Sequence, residues 1–415
     1  MLQAQTPKGL AGHDLRVDSD GRLLPWTPWI AALDREMRFY QSCPADRGYP
    51  RFAYVTFLDA EWIPSRDRTD TIPSTQAGTG ILSYLKYDEL SGKSEPAYLR
   101  TACAIGNYLV KETLTPNEGA YPAFTRSTGK RDQFPLPPDC GCQADRPHEI
   151  EPDKGGIAGY ALAQLFEASG ERRYLEQAVQ NARVLASNQS EGDEARSPWP
   201  FRADYRSGEG RGPVSGNMVY ILRLYDALLG HGYPEFSAAR DALWRWIRGR
   251  QIPSAAADGR LFAQFFEDHD TPTNRSAWAP LNLARYLLEA RDALDPQWLT
   301  LAGALIGFVR RTFTHQECGV TVCHEQDEDH QAWGGINSTY GAVLALYAKA
   351  AASAGLAEEA HQALTFTLYS IDELGRPRDV PQNPAPGGWQ EDAHTDVIHN
   401  YVDALAAFPE WGEVP

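Results

Sequence analysis

The 415-residue sequence predicts an all-α fold of about twelve helices, and three observations carry that expectation. Helical periodicity alternates between amphipathic segments and small-residue, nearly uncharged ones. The starts of the uncharged segments recur at intervals of 80, 59, 63, 58 and 59 residues. Short turns follow these segments, whereas long connections rich in carboxylates, aromatics and histidine precede them. If the segments run alternately up and down around one core, every long connection emerges at the same end, and chemistry is to be sought there.

The amphipathic helices are expected near 29–42, 97–113, 173–188, 235–249, 296–313 and 356–370. In the third, Leu175, Ala178, Val179, Ala182 and Leu185 form one apolar stripe while Glu176, Gln177, Gln180 and Arg183 face away, the pattern of an outer helix with one wet side. The second set is expected near 75–90, 155–168, 214–229, 277–290, 335–350 and 394–407. Ile336 to Tyr347 carries no charge, and Gly155 to Ala163 is equally small and apolar, as befits inner helices surrounded on all sides. Turns at Ser91-Gly92, Ser169-Gly170 and Asp295-Pro296 each lead to an aromatic-Leu pair (Tyr98-Leu99, Tyr174-Leu175, Trp298-Leu299), which sets the phase of the alternation. Aromatic stretches at 120–124, 198–201, 261–266 and 320–322 are expected as short strands or hairpins. Residues 1–28 read as an extended N-terminal segment and 29–415 as one catalytic domain.

A hydrophobic content of 42% is enough for a large core. The net charge of -16 and the absence of any Lys/Arg run argue against a nucleic-acid partner. No stretch approaches the roughly 20 apolar residues of a membrane span, so a membrane partner is not expected and the chain reads as a monomer or homodimer. The opening Gln3-Ala4-Gln5-Thr6-Pro7 matches what signal-peptide removal leaves behind, which would place the protein in the periplasm or outside the cell; without such a peptide it would be cytoplasmic. The six cysteines are too sparse for a disulfide scaffold. Cys103 reads as core, while Cys43, Cys140, Cys142, Cys318 and Cys323 sit in loops, where the last two pairs leave a bridge or metal open. Because Cys140-Gly141-Cys142 is one residue short of the zinc CxxC spacing, neither metal nor cofactor is expected.

Six inner and six outer helices, with long loops entering the inner ones, resemble the six-hairpin (α/α)6 toroid shared by many glycoside hydrolases, polysaccharide lyases and sugar 2-epimerases. The resemblance spans roughly residues 29 to 407 and is architectural. It implies short β-hairpins in the long loops and a sugar bound in the funnel where the inner helices start. No motif in the chain selects one reaction.

Each long connection offers candidates. Before the second inner helix, Asp153 and Lys154 suit either helix capping or contact with a sugar oxygen or carboxylate. In the third connection, Arg202, Arg206 and Arg211 stand beside Asp204 and Glu209 around Tyr205, among glycines that let the backbone approach a ligand; such a set can grip a uronate carboxylate or form a solvated salt-bridge loop. The fourth places Asp268 and Asp270 beside His269, ahead of Arg275 and Trp278, and crowded acids raise one another's pKa. The fifth, His324 to Gly335, is the densest, with Asp329, His330 and Trp333; its spacing does not match an EF-hand. The sixth contains Trp389, His394 and His399, where Asp396 and His399 at i,i+3 suit an acid-imidazole couple and where a histidine is similar in position to the proton-transfer histidines of sugar 2-epimerases. Asp70 and Gln76 in the first connection suit sugar contact or capping.

Glycoside hydrolysis needs one protonated carboxyl and one carboxylate, and acids on converging loops assemble such a pair readily. Asp204, Asp270 and Asp329 are the expected acid and base, and Trp199, Tyr205, Trp278, Trp333 and Trp389 the expected sugar platforms. A lyase would use Tyr205, His330, His394 or Asn400, and an epimerase two opposed groups such as His330 and His394. A non-catalytic carbohydrate-binding protein is the alternative of another class.

Overall fold

A computed structural model describes residues 13–42, 57–58, 73–93, 96–127, 148–264, 271–377, 388–389 and 394–412. Twelve helices of at least ten residues occur among them: α1 Trp29–Ser42, α2 Pro73–Leu90, α3 Pro96–Glu112, α4 Pro152–Ser169, α5 Arg172–Ser187, α6 Val219–Gly230, α7 Ser237–Trp246, α8 Trp278–Ala290, α9 Trp298–Thr312, α10 Gly334–Ala351, α11 Ala354–Leu368 and α12 His394–Ala407. A π-helical turn, Ile247–Gln251, extends α7.

The even-numbered helices form a closed ring. Contacts run from α2 to α4, α6, α8, α10 and α12, and from α12 back to α2. Each inner helix from α2 to α10 packs against the outer helix that follows it. The sixth hairpin joins the two ends of the chain, for Trp29 on α1 is fully buried with its ring edge-on to Tyr401 of α12 at 5.1 Å and to Trp411 at 5.6 Å. Small residues let the ring close. A Cβ on Gly78 of α2 would lie 2.8 Å from Ile157 of α4, and one on Gly156 of α4 would lie 2.6 Å from Ile221 of α6. Pro152 to Gly159 is buried without a break, so the first half of α4 shows no wet face.

Helix ends depart from the sequence reading where tertiary contacts intervene. The fourth helix starts at Pro152 rather than 155, since proline is tolerated in a first turn. The sixth starts at Val219 rather than 214: Gln251 Nε2 donates to the Gly216 carbonyl at 2.6 Å, and a Cβ on Gly216 would meet the Phe262 backbone at 2.8 Å. The backbone before α6 is thus held against the next connection instead of joining the helix.

The strands are short and lie outside the helical ring. Hairpin β1 (Arg16–Val17) with β2 (Leu23–Leu24) lies within the expected extended N-terminal segment and is tied to α11 by Gln362, which pairs with both backbone groups of Leu23 at 2.8 and 3.1 Å. Strand β3 (Phe57–Leu58) pairs with β9 (Gly388–Trp389), joining the first and last long connections. Strands β4 (Glu149–Ile150), β5 (Arg202–Asp204) and β6 (Gly210–Arg211) form one antiparallel sheet across the second and third. In the fifth, β7 (Thr314–Glu317) and β8 (Val320–Cys323) make the expected hairpin. The stretch 198–201 leads into β5 rather than forming it, Arg260–Phe262 is a 3-10 turn, and 120–124 is a turn closed by a bridge between Leu114 and Thr125. Cys103, Cys318 and Cys323 are free thiols, so no bridge joins the last two. Among the described residues, no helix is long and apolar enough to cross a membrane.

Replacing Trp29 by Ala is expected to destabilise the fold by about 3–5 kcal/mol, because a buried indole at the chain-end seam leaves a cavity. Gly156→Ala should cost about 1–3 kcal/mol through overpacking on Ile221. Urea denaturation followed by far-UV circular dichroism measures both; a Gly156→Ala midpoint at the wild-type value would mean that close approach is not what closes the ring.

Candidate functional site

The turns after α2, α4, α6, α8 and α10 are short, so the long connections all return to the N-terminal end of the ring. Two groups of side chains meet there. The first surrounds the start of α4. Glu151 occupies the N-cap position without a side-chain cap bond, and Asp153 and Lys154 fall inside the first turn. Arg202 on β5 reaches Glu151 at 3.3 Å, while Lys154 Nζ lies 4.0 Å from Glu151 and 3.6 Å from Asp153. All four side chains are fully buried. Their placement follows from the sheet: β4 leads directly into the helix, and its register sets Ile150 opposite Ala203, bringing Arg202 alongside Glu151. Arg202 also lies over the Phe201 ring at 4.4 Å.

Around this cluster, Arg211 grips Glu149 through two bonds of 2.8 and 2.5 Å, and the Tyr205 hydroxyl meets His148 Nδ1 at 2.8 Å under the guanidinium of Arg126. The tip of the β5–β6 hairpin turns away. Arg206 and Glu209 are exposed there, and Arg206 binds Asp204 at 2.9 Å. Arg206, with backbone N–H groups from Arg206 and Ser207, holds the Asp204 carboxyl down at about 2. A carboxyl held so low stays ionised at neutral pH, which fits a turn-forming role and not a proton donor's. Trp199 is fully buried, with its indole N–H on the Leu185 carbonyl at 3.1 Å, so it is core and not a sugar platform.

The second group lies at the starts of α8 and α10. Trp278 donates its indole N–H to Glu325, and Trp333 donates to Asp329, both at 2.8 Å. Asp329 also accepts the Gln331 backbone N–H at 2.9 Å. Arg275 is bidentate on Asp327, with both bonds at 2.8 Å, and thereby links the fourth and fifth connections. His330 is exposed, its Nε2 2.9 Å from the Asp327 carbonyl and its ring stacked on His324 at 4.7 Å. Burial, with His330 and His315 adding to it, pushes His324 down to about 4. Trp278 is buried and Trp333 half-buried.

His399 sits deeper, on the axis of the ring. Its carboxylate partner is not Asp396 but Asp403, one turn further along α12, at 3.4 Å. Burial, helped by Lys86, lowers the imidazole to about 4 despite that partner. Asn400 does not reach the funnel; it accepts a bond from Arg285 and donates to Ser338 and Thr339 of α10 at 2.8 and 2.9 Å. Asp70, Asp268, Asp270, Cys43, Cys140 and Cys142 lie outside the described residues, as do the side chains of Gln76, Trp389 and His394. Glu151, Glu149, Glu325 and Asp403 were not singled out from sequence. For Asp403 the signal was its i,i+4 spacing from His399; for Glu151 it was the Glu-Pro-Asp-Lys run at a helix start.

No protein-family profile and no curated protein matches the sequence. Solved structures do match. A sugar epimerase from a ruminal bacterium superposes with a TM-score of 0.66 at 13% identity, over 91% of this chain and 99% of that one. A family 76 glycoside hydrolase from a bovine Bacteroides thetaiotaomicron strain gives 0.61 at 14%, over 93% and 78%. A polysaccharide lyase gives 0.55 at 11%, over 92% and 53%. The chain is an (α/α)6 toroid. Three chemistries on one toroid mean that the ring fixes where the funnel lies, and the side chains within it decide the reaction.

Folding lowers the proton affinity of His324 and His399 below the ordinary 6.5, which fixes the sign of a pH effect. Above 6.5 neither folded nor unfolded chain is protonated at these sites; as pH falls toward 4, the unfolded chain takes up protons that the folded chain refuses, and stability drops. Urea midpoints should therefore fall between about pH 7 and about pH 4.5, with a shallower slope in His324→Asn and His399→Asn. An unchanged slope in both variants would remove these histidines as its source.

Proposed function

We propose that this chain is a carbohydrate-active enzyme, and specifically a glycoside hydrolase. The observation that carries the reading is the fully buried set of Glu151, Asp153, Lys154 and Arg202 at the start of an inner helix. Desolvating a charged group costs several kcal/mol, and a packed apolar cluster would stabilise the helix start as well or better. Ionic groups gathered at such expense beside a funnel mark a site of chemistry.

In this reading Asp153 does not touch the sugar but, through Lys154 at 3.6 Å, helps fix the start of α4 beside the substrate. The carboxyl that meets the sugar comes from the facing connections, with Asp329 near the start of α10 the candidate among the described residues. Trp333 supplies a flat apolar face for a pyranose ring, its indole fixed by Asp329. The enzymes that share this toroid, a glycoside hydrolase among them, support a sugar as substrate.

A second reading, proton transfer as in a lyase or an epimerase, is favoured by His399. Its imidazole is unprotonated at neutral pH and faces the axial cavity, where it would meet a substrate that reaches the ring axis. If it is the essential base, the acidic limb of kcat/KM should fall near pH 4, where the free enzyme titrates, and not near 6.5.

Incubation with neutral and uronate-containing glycans separates the readings. Hydrolysis releases reducing ends without a new carbon-carbon double bond; a lyase creates one, and an epimerase exchanges a carbon-bound hydrogen with heavy water. Asp329→Asn should lower kcat about 10²–10⁴-fold with the melting temperature held close to wild type. Full turnover in Asp153→Asn, Asp329→Asn and Asp270→Asn alike would end the hydrolase assignment.

A further inference from the structure

On the ring axis, toward the end opposite the long connections, lies a cavity of about 250 Å³. Its wall comes from five of the inner helices: Leu82 to Glu89 in the second half of α2, Tyr160 and Gln164 on α4, Tyr220 and Arg223 in the first turns of α6, Arg285 and Glu289 on α8, and His399 on α12. Glu89, next to the end of α2, is exposed, so the cavity opens on the short-turn side.

The charges inside are paired. Asp403 takes Lys86, and Arg285 lies 3.6 Å from it; Glu289 takes Arg223 at 2.6 Å. Glu89 also lines the wall, so three permanent cations face three carboxylates. The hydrogen-bond donors, however, are not all filled. Arg223 and Arg285 are 7% and 4% exposed, yet the Nε–H of each has no hydrogen-bond partner among the described residues. A buried donor left unmet costs free energy, and a guanidinium N–H is satisfied best by a carboxylate. Beside these donors stand the rings of Tyr160 and Tyr220, 6.1 Å apart, and the amide of Gln164, which suit the apolar face and the hydroxyls of a small polyol.

We propose that this cavity is a second binding site, separate from the funnel, for a monosaccharide that carries a carboxylate, with that group seated on the Nε–H donors of Arg223 and Arg285. That the ligand is a sugar rests on the carbohydrate reading above; that it is an anion rests on the guanidinium geometry alone. The ligand would fill the two guanidinium donors that the protein's own carboxylates leave open.

Calorimetric titration of the full chain with glucuronate, glucose and acetate tests the assignment. Glucuronate should bind at least about tenfold more tightly than either of the others, since only it offers both carboxylate and polyol. Arg223→Lys retains a cation for Glu289 and removes the Nε–H, as Arg285→Lys does beside Asp403; each should weaken glucuronate about tenfold and leave the weak binding of glucose unaltered. Glucose or acetate binding as tightly as glucuronate, no glucuronate binding to wild type, or unchanged affinity in both Lys variants would each overturn the proposal. The wild-type ranking needs no variant to fold. Asp153→Asn should still bind glucuronate here, and a wild-type chain that turns over no glycan while binding glucuronate through these arginines would fail as a hydrolase and keep this site.

Discussion

Close approach between inner helices is the constraint on which the structure depends. Where α4 faces α2 and α6, no space remains for a side chain at Gly78 or Gly156. Interiors pack near crystal density, so one added methyl at either contact must push a neighbour, and in a closed ring that push passes on to other contacts. The small, uncharged character of the inner helices is thus a requirement of closure. Closure also demands that the chain ends meet, and the buried Trp29, against Tyr401 and Trp411, makes that seam.

From closure the polarity of the molecule follows. Each inner helix from α2 to α10 is joined to the outer helix that follows it by a short turn, which leaves the longer connections at the opposite end. Short sheets and side-chain pairs then tie those connections together, as β4, β5 and β6 do across the second and third, and as Arg275 does on Asp327 across the fourth and fifth. The N-terminal end of the ring is therefore built from segments far apart in sequence, held by local pairing that the ring has brought within reach.

Charge is confined within the ring by pairing. At the start of α4 two carboxylates and two cations are sealed together, and on the axis Asp403 and Glu289 each hold arginine or lysine groups from other helices. Lys86, with His399 and Arg285, holds the Asp403 carboxyl well below its ordinary range although burial opposes ionisation, because the alternative is an uncompensated cation in a poor solvent. In the same field His399 stays neutral. The two clusters differ in their donors: those of the arginines on the axis are not all taken up, and this separates an ion-pair network from a binding site.

Much of the architecture was legible in the sequence. Alternation of striped and featureless helices is a local signal, since an apolar stripe or its absence is written within four or five turns, and both the helix count and the end that carries the long loops followed from it. The start of α6 was not legible, because Gly216 is held by Phe262 and Gln251 from another connection. Trp199 looked chemical by type and is buried as core, and Asp204 is held in its ionised form by the turn of its own hairpin. The axial cluster did leave a trace, in the few charges (Lys86, Arg223, Arg285, Glu289, Asp403) that interrupt otherwise apolar inner helices. What the sequence by itself determined was the set of helices, their inner or outer character and their common direction, all consequences of periodicity over short range. What only the tertiary structure decided was partnership: Lys86 and Asp403 stand 317 residues apart and meet because the ring closes, and no local pattern encodes which charge faces which across an axis.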